Sequence, residues 1–185
     1  MLTAATITER VREALREDAP WGDLTARVAI REDAVLSAEL NAREPGVFAG
    51  GEVFAAAFRE LDPRVAVQLL ARDGDAFVAG QVLARVSGPA RSVLTAERIA
   101  LNFTQRMSGI ATLTARFVAE TSGTRARIAD TRKTTPGLRA FEKHAVRAGG
   151  GTNHRFGLSD AVMIKDNHLA ALGAVGPEEV TAALR

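Results

Sequence analysis

The feature that most constrains this chain is a basic segment at residues 125–168. It contains all three lysines and all three histidines of the 185-residue sequence and has a formal net charge of +5. Residues 1–124 contain no lysine and have a formal net charge of −2. Apolar runs alternate with proline and glycine within the segment, which is unlike a disordered basic tail. We therefore expect this segment to fold and to bind anions.

Composition excludes several classes of protein. The absence of cysteine rules out disulfides, thiolate metal sites and cysteine nucleophiles, and it fits a reducing cytoplasm. No apolar run approaches the roughly 18 residues of a membrane span, and the N-terminus lacks a signal-peptide pattern. The isoelectric point is 9.6, but a net charge of +2 with one tryptophan and no tyrosine offers little to nucleic acid. We expect a cytoplasmic protein without a membrane or nucleic-acid partner.

Hydrophobic patterning predicts an α+β domain over residues 1–108. Apolar residues recur at helical intervals in two stretches and alternate or cluster between turn residues in three others. The predicted helices are 7–18 and 51–61, and the predicted strands are 34–41, 65–70 and 77–86. A turn at 73–75 separates the last two strands, which is typical of an antiparallel meander.

The pattern changes over residues 109–185. A helix that begins near residue 92 ends at Gly123, and it is followed by a strand at 126–130, a helix at 137–148, a strand at 161–165 and a helix from Pro177. Strand–helix–strand alternation is the signature of a parallel sheet or barrel, and a closed barrel needs about 250 residues. The predicted fold class is α/β: an N-terminal α+β, sandwich-like domain at 1–108, then the first part of a (β/α) barrel at 109–185 that carries the anion site.

Three clusters in the basic segment carry the chemistry. They are the TRKT motif at 131–134, the NHR motif at 153–155, and Lys165; the first and third directly follow predicted strands. Side chains at the carboxyl ends of barrel strands converge on one face. Arginine supplies a planar fork for carboxylate or phosphate, and lysine supplies a point charge. Since no carboxylate stands at metal-ligand spacing beside them, we predict a site for a polyanion held against another anion, with no protein metal site and no identified catalytic residue.

Each motif taken alone has a plain structural interpretation. Arg139, Lys143 and Arg147 lie four residues apart opposite the apolar face of their helix, and we interpret them as a solvated stripe. His144 is expected to be structural or exposed. The glycines at 149–151 are expected to end the helix, each free to adopt positive φ. It is the joint occurrence of the motifs in one segment that favours a function.

The segment DTRKTTPGLRAFEKHAVRAGGGTNHRFGLSDAVMIKDNH closely resembles the signature region of the quinolinate phosphoribosyltransferases, also called carboxylating nicotinate-nucleotide pyrophosphorylases. Upstream, ERIALNFTQRMSGIAT and EDAPWGDLTA are similar to further motifs of that family, so the resemblance covers nearly the whole chain. It implies a glycosyltransferase of NAD biosynthesis. The implied reaction converts quinolinate and phosphoribosyl pyrophosphate to nicotinate mononucleotide, pyrophosphate and carbon dioxide.

The resemblance also implies which residues bind the substrates. The two carboxylates of quinolinate would be held by four side chains: Arg132, His154, Arg155 and Lys165. Arg98 would reach the acid from the partner subunit of a homodimer or higher homo-oligomer. Thr131 and Lys133 would lie at the boundary between quinolinate and phosphoribosyl pyrophosphate. A Mg²⁺ ion would bind through the pyrophosphate oxygens.

Two departures from the family pattern bear on activity. His144 stands where the family commonly has an aromatic residue, which we interpret as neutral. The family's acidic residues for ribose and metal, and its glycine-rich phosphate loops, come from later barrel strands that this sequence does not contain. We therefore expect either a chain truncated at its C-terminus or one that has lost activity, and in both cases a chain that binds the acid without completing catalysis by itself.

Other functions were weighed against the same residues. The stretch GDAFVAGQVLARVSG is similar to a lipoyl-like carrier hairpin, but no acceptor lysine precedes Lys133, so a carrier domain is excluded. Two alternatives stay open: a related phosphoribosyltransferase with another acceptor, and a non-catalytic anion- or RNA-binding fragment. The intact TRKT, NHR and IK motifs favour quinolinate. RNA binding would differ by its steep dependence on salt.

Overall fold

The computed structural model describes residues 2–173 and 176–183 and separates into two compact units, residues 1–154 and 155–185. The described elements of the first unit are, in order, α1 (Ala4–Asp18), α2 (Leu24–Ala29), β1 (Val35–Asn41), β2 (Gly46–Val47), α3 (Gly51–Leu61), β3 (Ala66–Leu69), β4 (Ala76–Phe77), β5 (Val82–Pro89), α4 (Ala90–Glu120) and α5 (Arg139–Ala148). The predicted domain boundary between 108 and 109 falls inside α4 and stays a prediction.

The helices and strands of the N-terminal part lie close to their predicted places, with two differences: α1 begins earlier than predicted, and α2 was not predicted. The side chain of Thr3 accepts the N–H of Thr6, so α1 begins at Ala4, before the predicted start at residue 7. α2 was not predicted, because its six residues are too few to show a helical period. Its start is nevertheless encoded, since Asp23 accepts the N–H of Ala26 at 2.9 Å.

A three-stranded antiparallel sheet in the order β1-β5-β3 forms one layer of this part. One face of the sheet packs on the helices through side chains such as Val67, Ala84 and Val86. The other face is polar, and there the Arg85 Nε donates to Glu39 at 3.0 Å. The single strand predicted at 77–86 is two, because a turn at 78–81 separates β4, which pairs with β2, from β5.

The long helix α4 organises the core. It packs against α3, the sheet and α5, with alanines at 96, 100 and 111 fully enclosed. Small side chains let neighbouring elements approach closely, and Phe54, Phe58 and Val93 fill the remaining space. Near its middle α4 packs against α5, where the Phe103 and Phe141 ring centroids are 5.3 Å apart. α4 thereby places α5 and the segments that flank it.

A second contact ties α5 to the N-terminal layer. The His144 ring Nε2 lies 2.6 Å from Asp73 Oδ2, and Asp73 Oδ1 accepts the backbone N–H groups of Gly50 and Gly51 at 3.0 Å each. These N–H groups stand at the start of α3, where backbone N–H groups have no acceptor within the helix, so Asp73 supplies one. His144, which was predicted to be either structural or exposed, therefore has a structural role.

The parallel part begins with one β–α–β unit. The strand predicted at 126–130 is present only as an isolated parallel bridge between Ala129 and Thr152, with α5 as the crossover. The sequence prediction had no strand at residue 152; its second strand was placed at 161–165. The chain turns back immediately after α5, so residue 152 already lies beside residue 129.

The described residues of the second unit, 155–173 and 176–183, contain α6 (Asp166–Leu172) and α7 (Pro177–Ala183). Residues 161–165 form no strand in this part of the chain. Asp160 closes the turn before them by accepting the N–H of Gly157 at 3.0 Å. A strand needs a hydrogen-bonded neighbour, and apolar residues alone do not supply one.

No helix in the described part of the chain is long and apolar enough to cross a membrane.

Candidate anion-binding site

Two strand ends lie side by side and carry the first of the predicted site residues. The Thr152 N–H donates to the Ile128 carbonyl at 2.8 Å, and the Asp130 N–H donates to the Thr152 carbonyl at 3.1 Å. These two backbone bonds set the register of the segments. The TRKT motif and His154 therefore leave the pair at the same end, as parallel strand ends do.

Asp130 joins the two strand ends through its carboxylate. Its Oδ1 accepts the backbone N–H of His154 at 2.8 Å, and its Oδ2 accepts the Asn153 side-chain amide at 2.6 Å. The Lys143 ammonium donates to Oδ1 at 2.5 Å and to the His154 carbonyl at 3.0 Å. Asn153 also donates to the Lys143 carbonyl at 2.8 Å, which ties α5 into the same network.

The burial of Lys143 overturns its interpretation as part of a solvated stripe. The residue is 3% exposed, whereas Arg147, one turn later, is exposed. Helix α5 is covered on two sides: Phe141 faces α4, and Lys143 faces the strand ends. A pattern that assumes one buried face misses the second one. A charge enclosed in this way is tolerated because its carboxylate and carbonyl partners replace water.

Arg132 presents a cation with an unused donor. The residue is half-buried, and its Nε atom is enclosed without a hydrogen-bond partner among the described residues. Buried polar atoms are nearly always paired, so an orphaned guanidinium N–H indicates a place for an acceptor that comes from outside. A carboxylate fits, because guanidinium binds it with two parallel hydrogen bonds.

Thr131 and Lys133 are shaped by a local turn. The Thr131 hydroxyl accepts the Lys133 backbone N–H at 3.0 Å, a bond that folds the chain right after the strand end. Both residues are exposed, as is His154 on the adjacent segment. The structure therefore brings Thr131, Arg132, Lys133 and His154 to neighbouring strand ends.

Arg98 lies elsewhere in the first unit. It is exposed on α4 and lines a groove of about 970 Å³ together with residues of β1, the β1–β2 loop and the α4 face, including Arg43 and Arg116. None of the strand-end residues lines this groove. Within one chain, Arg98 is thus not part of the strand-end cluster.

Arg155 and Lys165 belong to the second unit. The Arg155 Nη1 donates to the Ala161 carbonyl at 2.8 Å, which closes the loop between the two residues. Lys165 is exposed at the N-terminus of α6, where the His168 Nδ1 accepts its backbone N–H at 3.1 Å. His168 therefore caps α6.

The triple glycine serves close packing more than backbone freedom. Only Gly150 has a positive φ, +83°. A Cβ at Gly149 would lie 2.3 Å from the Ala111 carbonyl oxygen of α4, and one at Gly151 would lie 2.8 Å from Thr114. Of the three glycines, only Gly150 uses the freedom to adopt positive φ; at 149 and 151 glycine lets the turn after α5 pass directly against α4.

The described residues provide no metal centre. No three His, Asp or Glu side chains among them could hold an ion together. The carboxylate at the strand end, Asp130, already accepts hydrogen bonds from Lys143, Asn153 and His154. These residues by themselves do not fit a Mg²⁺ ion.

Comparison with protein-family models identifies the family of the chain. The model for the quinolinate phosphoribosyl transferase N-terminal domain matches residues 23–108, and the model for the C-terminal domain of the same family matches residues 110–185. The chain belongs to the quinolinate phosphoribosyltransferase family. The resemblance inferred from the signature motifs is thereby confirmed.

Individual relatives agree. A Bacillus subtilis protein described as a probable nicotinate-nucleotide pyrophosphorylase (carboxylating) is 49% identical over 159 residues, which cover 86% of this chain. A Mycobacterium leprae nicotinate-nucleotide pyrophosphorylase (carboxylating) is 46% identical over 170 residues, covering 90% of this chain. The crystal structure of NadC from Streptococcus pyogenes matches 99% of this chain with a TM-score of 0.91 at 44% identity. The α/β fold class is confirmed.

The chain spans only part of these relatives. It covers 55% of the Bacillus subtilis protein, 60% of the Mycobacterium leprae protein and 65% of the NadC chain. This fits an incomplete barrel, as the strand count predicted.

Sequence reasoning missed two residues of the site and gave a third no role. Asp130 and Lys143 hold the strand ends but were not predicted, while Asn153 stood in the predicted NHR motif without a function assigned to it. Asp130 directly precedes the TRKT motif, so a signal was available for it. The role of Lys143 depends on a second buried face of α5 and has no comparable signal in one sequence.

Proposed function

We propose that the protein transfers the phosphoribosyl group of phosphoribosyl pyrophosphate to quinolinate, giving nicotinate mononucleotide, pyrophosphate and carbon dioxide for NAD biosynthesis in the cytoplasm. The observation that carries the proposal is the enclosed, unpartnered Nε of Arg132 at a strand end that it shares with His154. Family membership favours quinolinate as the bound anion, since the relatives are named for this reaction.

Recognition of the acid rests on charge and geometry. Quinolinate has two adjacent carboxylates, which suit a guanidinium fork flanked by further cations. By the family resemblance, Arg132, His154, Arg155 and Lys165 would contact the acid. Thr131 and Lys133 would lie where the acid meets the phosphoribosyl donor.

The reaction needs positioning more than a protein nucleophile. The pyridine nitrogen forms a bond to C1 of the ribose as the bond from C1 to pyrophosphate breaks, and the leaving group takes the electron pair. The 2-carboxylate then leaves as carbon dioxide, and a proton replaces it on the ring carbon. Cationic side chains such as Lys133 would hold the two polyanions together and offset the charge of the pyrophosphate.

Mg²⁺ enters the proposal only with the donor. Since the described residues do not fit the ion, we expect it to arrive bound to oxygens of phosphoribosyl pyrophosphate. No contact between this chain and the ion is part of the proposed mechanism.

We also propose a homodimer in which Arg98 completes the partner's acid site. Arg98 lies apart from the strand-end cluster within one chain, in a groove large enough to receive protein side chains. A two-fold axis would exchange the groove and the cluster between subunits. Each site would then contain residues of both chains.

Binding of quinolinate to the 185-residue chain tests the acid site. We expect saturable binding by isothermal titration calorimetry, and Arg132→Ala should weaken it by about 1.5–3 kcal/mol because a charge-assisted hydrogen bond is lost. Arg147→Ala is the matched control: it removes the same charge from an exposed position of α5 and should bind like wild type.

Three other outcomes would count against the proposal. Equal affinities of wild type and Arg132→Ala would show that the acid is held elsewhere. Tighter binding of a pyridine monocarboxylate than of quinolinate would favour a related phosphoribosyltransferase with another acceptor. Binding of RNA with a steep salt dependence, and none of quinolinate, would favour an RNA-binding protein.

A further inference from the structure

Lys143 is held inside the site without facing solvent. Its side chain is 4% exposed and that of Asp130 is 7% exposed, so the ion pair between them is buried. An ammonium group has three donors and no acceptor. Two of the donors are committed, one to Asp130 Oδ1 at 2.5 Å and one to the His154 carbonyl at 3.0 Å. A substrate has almost no surface of Lys143 to contact.

Asp130, the partner of Lys143, lies close along the chain to Arg132. Asp130 precedes Arg132 by two residues, and a carboxylate so close along the chain is a natural bidentate partner for a guanidinium. Instead, its oxygens accept hydrogen bonds from Lys143, Asn153 and the His154 backbone. The Arg132 Nε is left without a partner among the described residues.

The charges of the cluster follow from this pairing. Lys143 neutralises Asp130, so the remaining strand-end charges, Arg132 and Lys133, are both positive. Without the ammonium, an uncompensated carboxylate would stand beside the place of the anionic substrate. It would repel the anion, and it would compete for the Arg132 guanidinium.

We propose that Lys143 is a positioning residue: it neutralises Asp130 and thereby keeps the Arg132 guanidinium available to the acid. The inference rests on the proposed function, since the acid used to test it is quinolinate. It assigns Lys143 no contact with substrate.

The test is a charge-rescue series measured by titration calorimetry with quinolinate. Lys143→Met removes the ammonium while keeping a long apolar stem, and it should weaken binding at least about tenfold, which corresponds to about 1.4 kcal/mol. The double variant Asp130→Asn/Lys143→Met removes both charges and leaves the same packing change. It should bind within about threefold of wild type, because an effect below 0.7 kcal/mol is expected once the carboxylate is neutral.

Phe141→Leu is the matched control for loss of stability. It lies in the same helix and is 1% exposed, so it loosens α5 without changing any charge. Its affinity for quinolinate should equal that of wild type. Circular dichroism of each variant shows that folded protein is being titrated, so rescue by the Asp130 substitution reports on binding and not on recovery of the fold.

Two results would overturn the inference while leaving the proposed function intact. One is wild-type affinity in folded Lys143→Met; the other is a double variant as weak as the single one. If Lys143→Met does not fold, the double variant alone tests the inference, because the inference requires it to bind quinolinate within about threefold of wild type. Absence of binding by wild type is a different result, because it contradicts the proposed function itself.

Discussion

Two cations of the basic segment have opposite uses. The Lys143 ammonium is committed to Asp130 and the His154 carbonyl, while the Arg132 Nε has no partner in the described part of the chain. An enclosed N–H group is rarely left without an acceptor, so the unpartnered Nε of Arg132 points to a ligand. The distinction between a structural and a substrate-binding cation therefore depends on hydrogen bonds, and charge counts do not reveal it.

Asp73 shows how a residue outside the site holds α5 in place. Burial alone would raise the pKa of Asp73, but hydrogen bonds from His144 and from the Gly51 and Gly50 backbone N–H groups outweigh it and lower the pKa. A carboxylate whose pKa is depressed by folding stabilises the folded state above its unfolded pKa of about 3.9. That contribution is lost as the pH falls through the lower, folded value.

We predict that Asp73→Asn lowers the free energy of unfolding by roughly 1–3 kcal/mol at pH 7, because a charged acceptor of three hydrogen bonds is replaced by a neutral one. The difference from wild type should shrink as the pH falls below about 4, where the carboxylate becomes protonated. Urea denaturation at several pH values measures both effects. Glu17→Gln, exposed on α1, should show neither. A difference that persists unchanged at low pH would contradict the assigned role of the charge.

At the scale of elements, the packing of α4 against the turn after α5 determines where the strand ends lie. A Cβ at Gly149 would lie only 2.3 Å from the Ala111 carbonyl oxygen of α4. A Cβ at Gly109, in the interior of α4, would meet no atom of the other described elements within 4 Å. The two glycines therefore make opposite predictions for the same substitution.

Gly149→Ala should destabilise the chain by about 1–3 kcal/mol or more, since the rigid backbone of α4 cannot give way to the new methyl group. Gly109→Ala should stabilise it by roughly 0.5–1 kcal/mol, since alanine favours a helix interior and finds open space. Thermal unfolding of the isolated chain compares the two. Equal effects of the same sign would show that α4 and the glycine turn do not pack as described.

Sequence patterns predicted the elements that have a strong local signal. α1, α3 and β1 follow from their apolar periods, and α4 follows from one continued over 31 residues. Where the structure depends on contacts between distant residues, the patterns failed. The parallel partner of Ala129 is Thr152, a choice made by the glycine turn packing on α4. For the site, motif types and spacing identified Arg132 and His154, but Lys143 needed the knowledge of what covers each side of α5.

At the scale of the whole molecule, the account requires two copies of the chain to complete a site. A mixture of Arg98→Ala and Arg132→Ala subunits forms heterodimers in which one of the two sites has both native arginines. With random pairing, roughly a quarter of the sites should bind quinolinate with wild-type affinity, although neither variant does so alone. Calorimetric stoichiometry measures this fraction.

The matched control mixes Arg132→Ala with His154→Ala subunits. Both substitutions affect the same strand-end cluster, so every site in this mixture lacks a native residue and none should recover. Recovery in the control, or none in the Arg98 mixture, would contradict a site shared across the two-fold axis.

The central claim is the transfer of a phosphoribosyl group to quinolinate with loss of its 2-carboxylate. The most direct measurement supplies quinolinate labelled in that carboxylate, together with phosphoribosyl pyrophosphate and Mg²⁺, to the protein produced from its full reading frame. The account predicts equal amounts of labelled carbon dioxide and nicotinate mononucleotide from the wild type, and loss of both in Arg132→Ala. No release of labelled carbon dioxide by the wild type, or formation of a nucleotide that keeps the label, would contradict it.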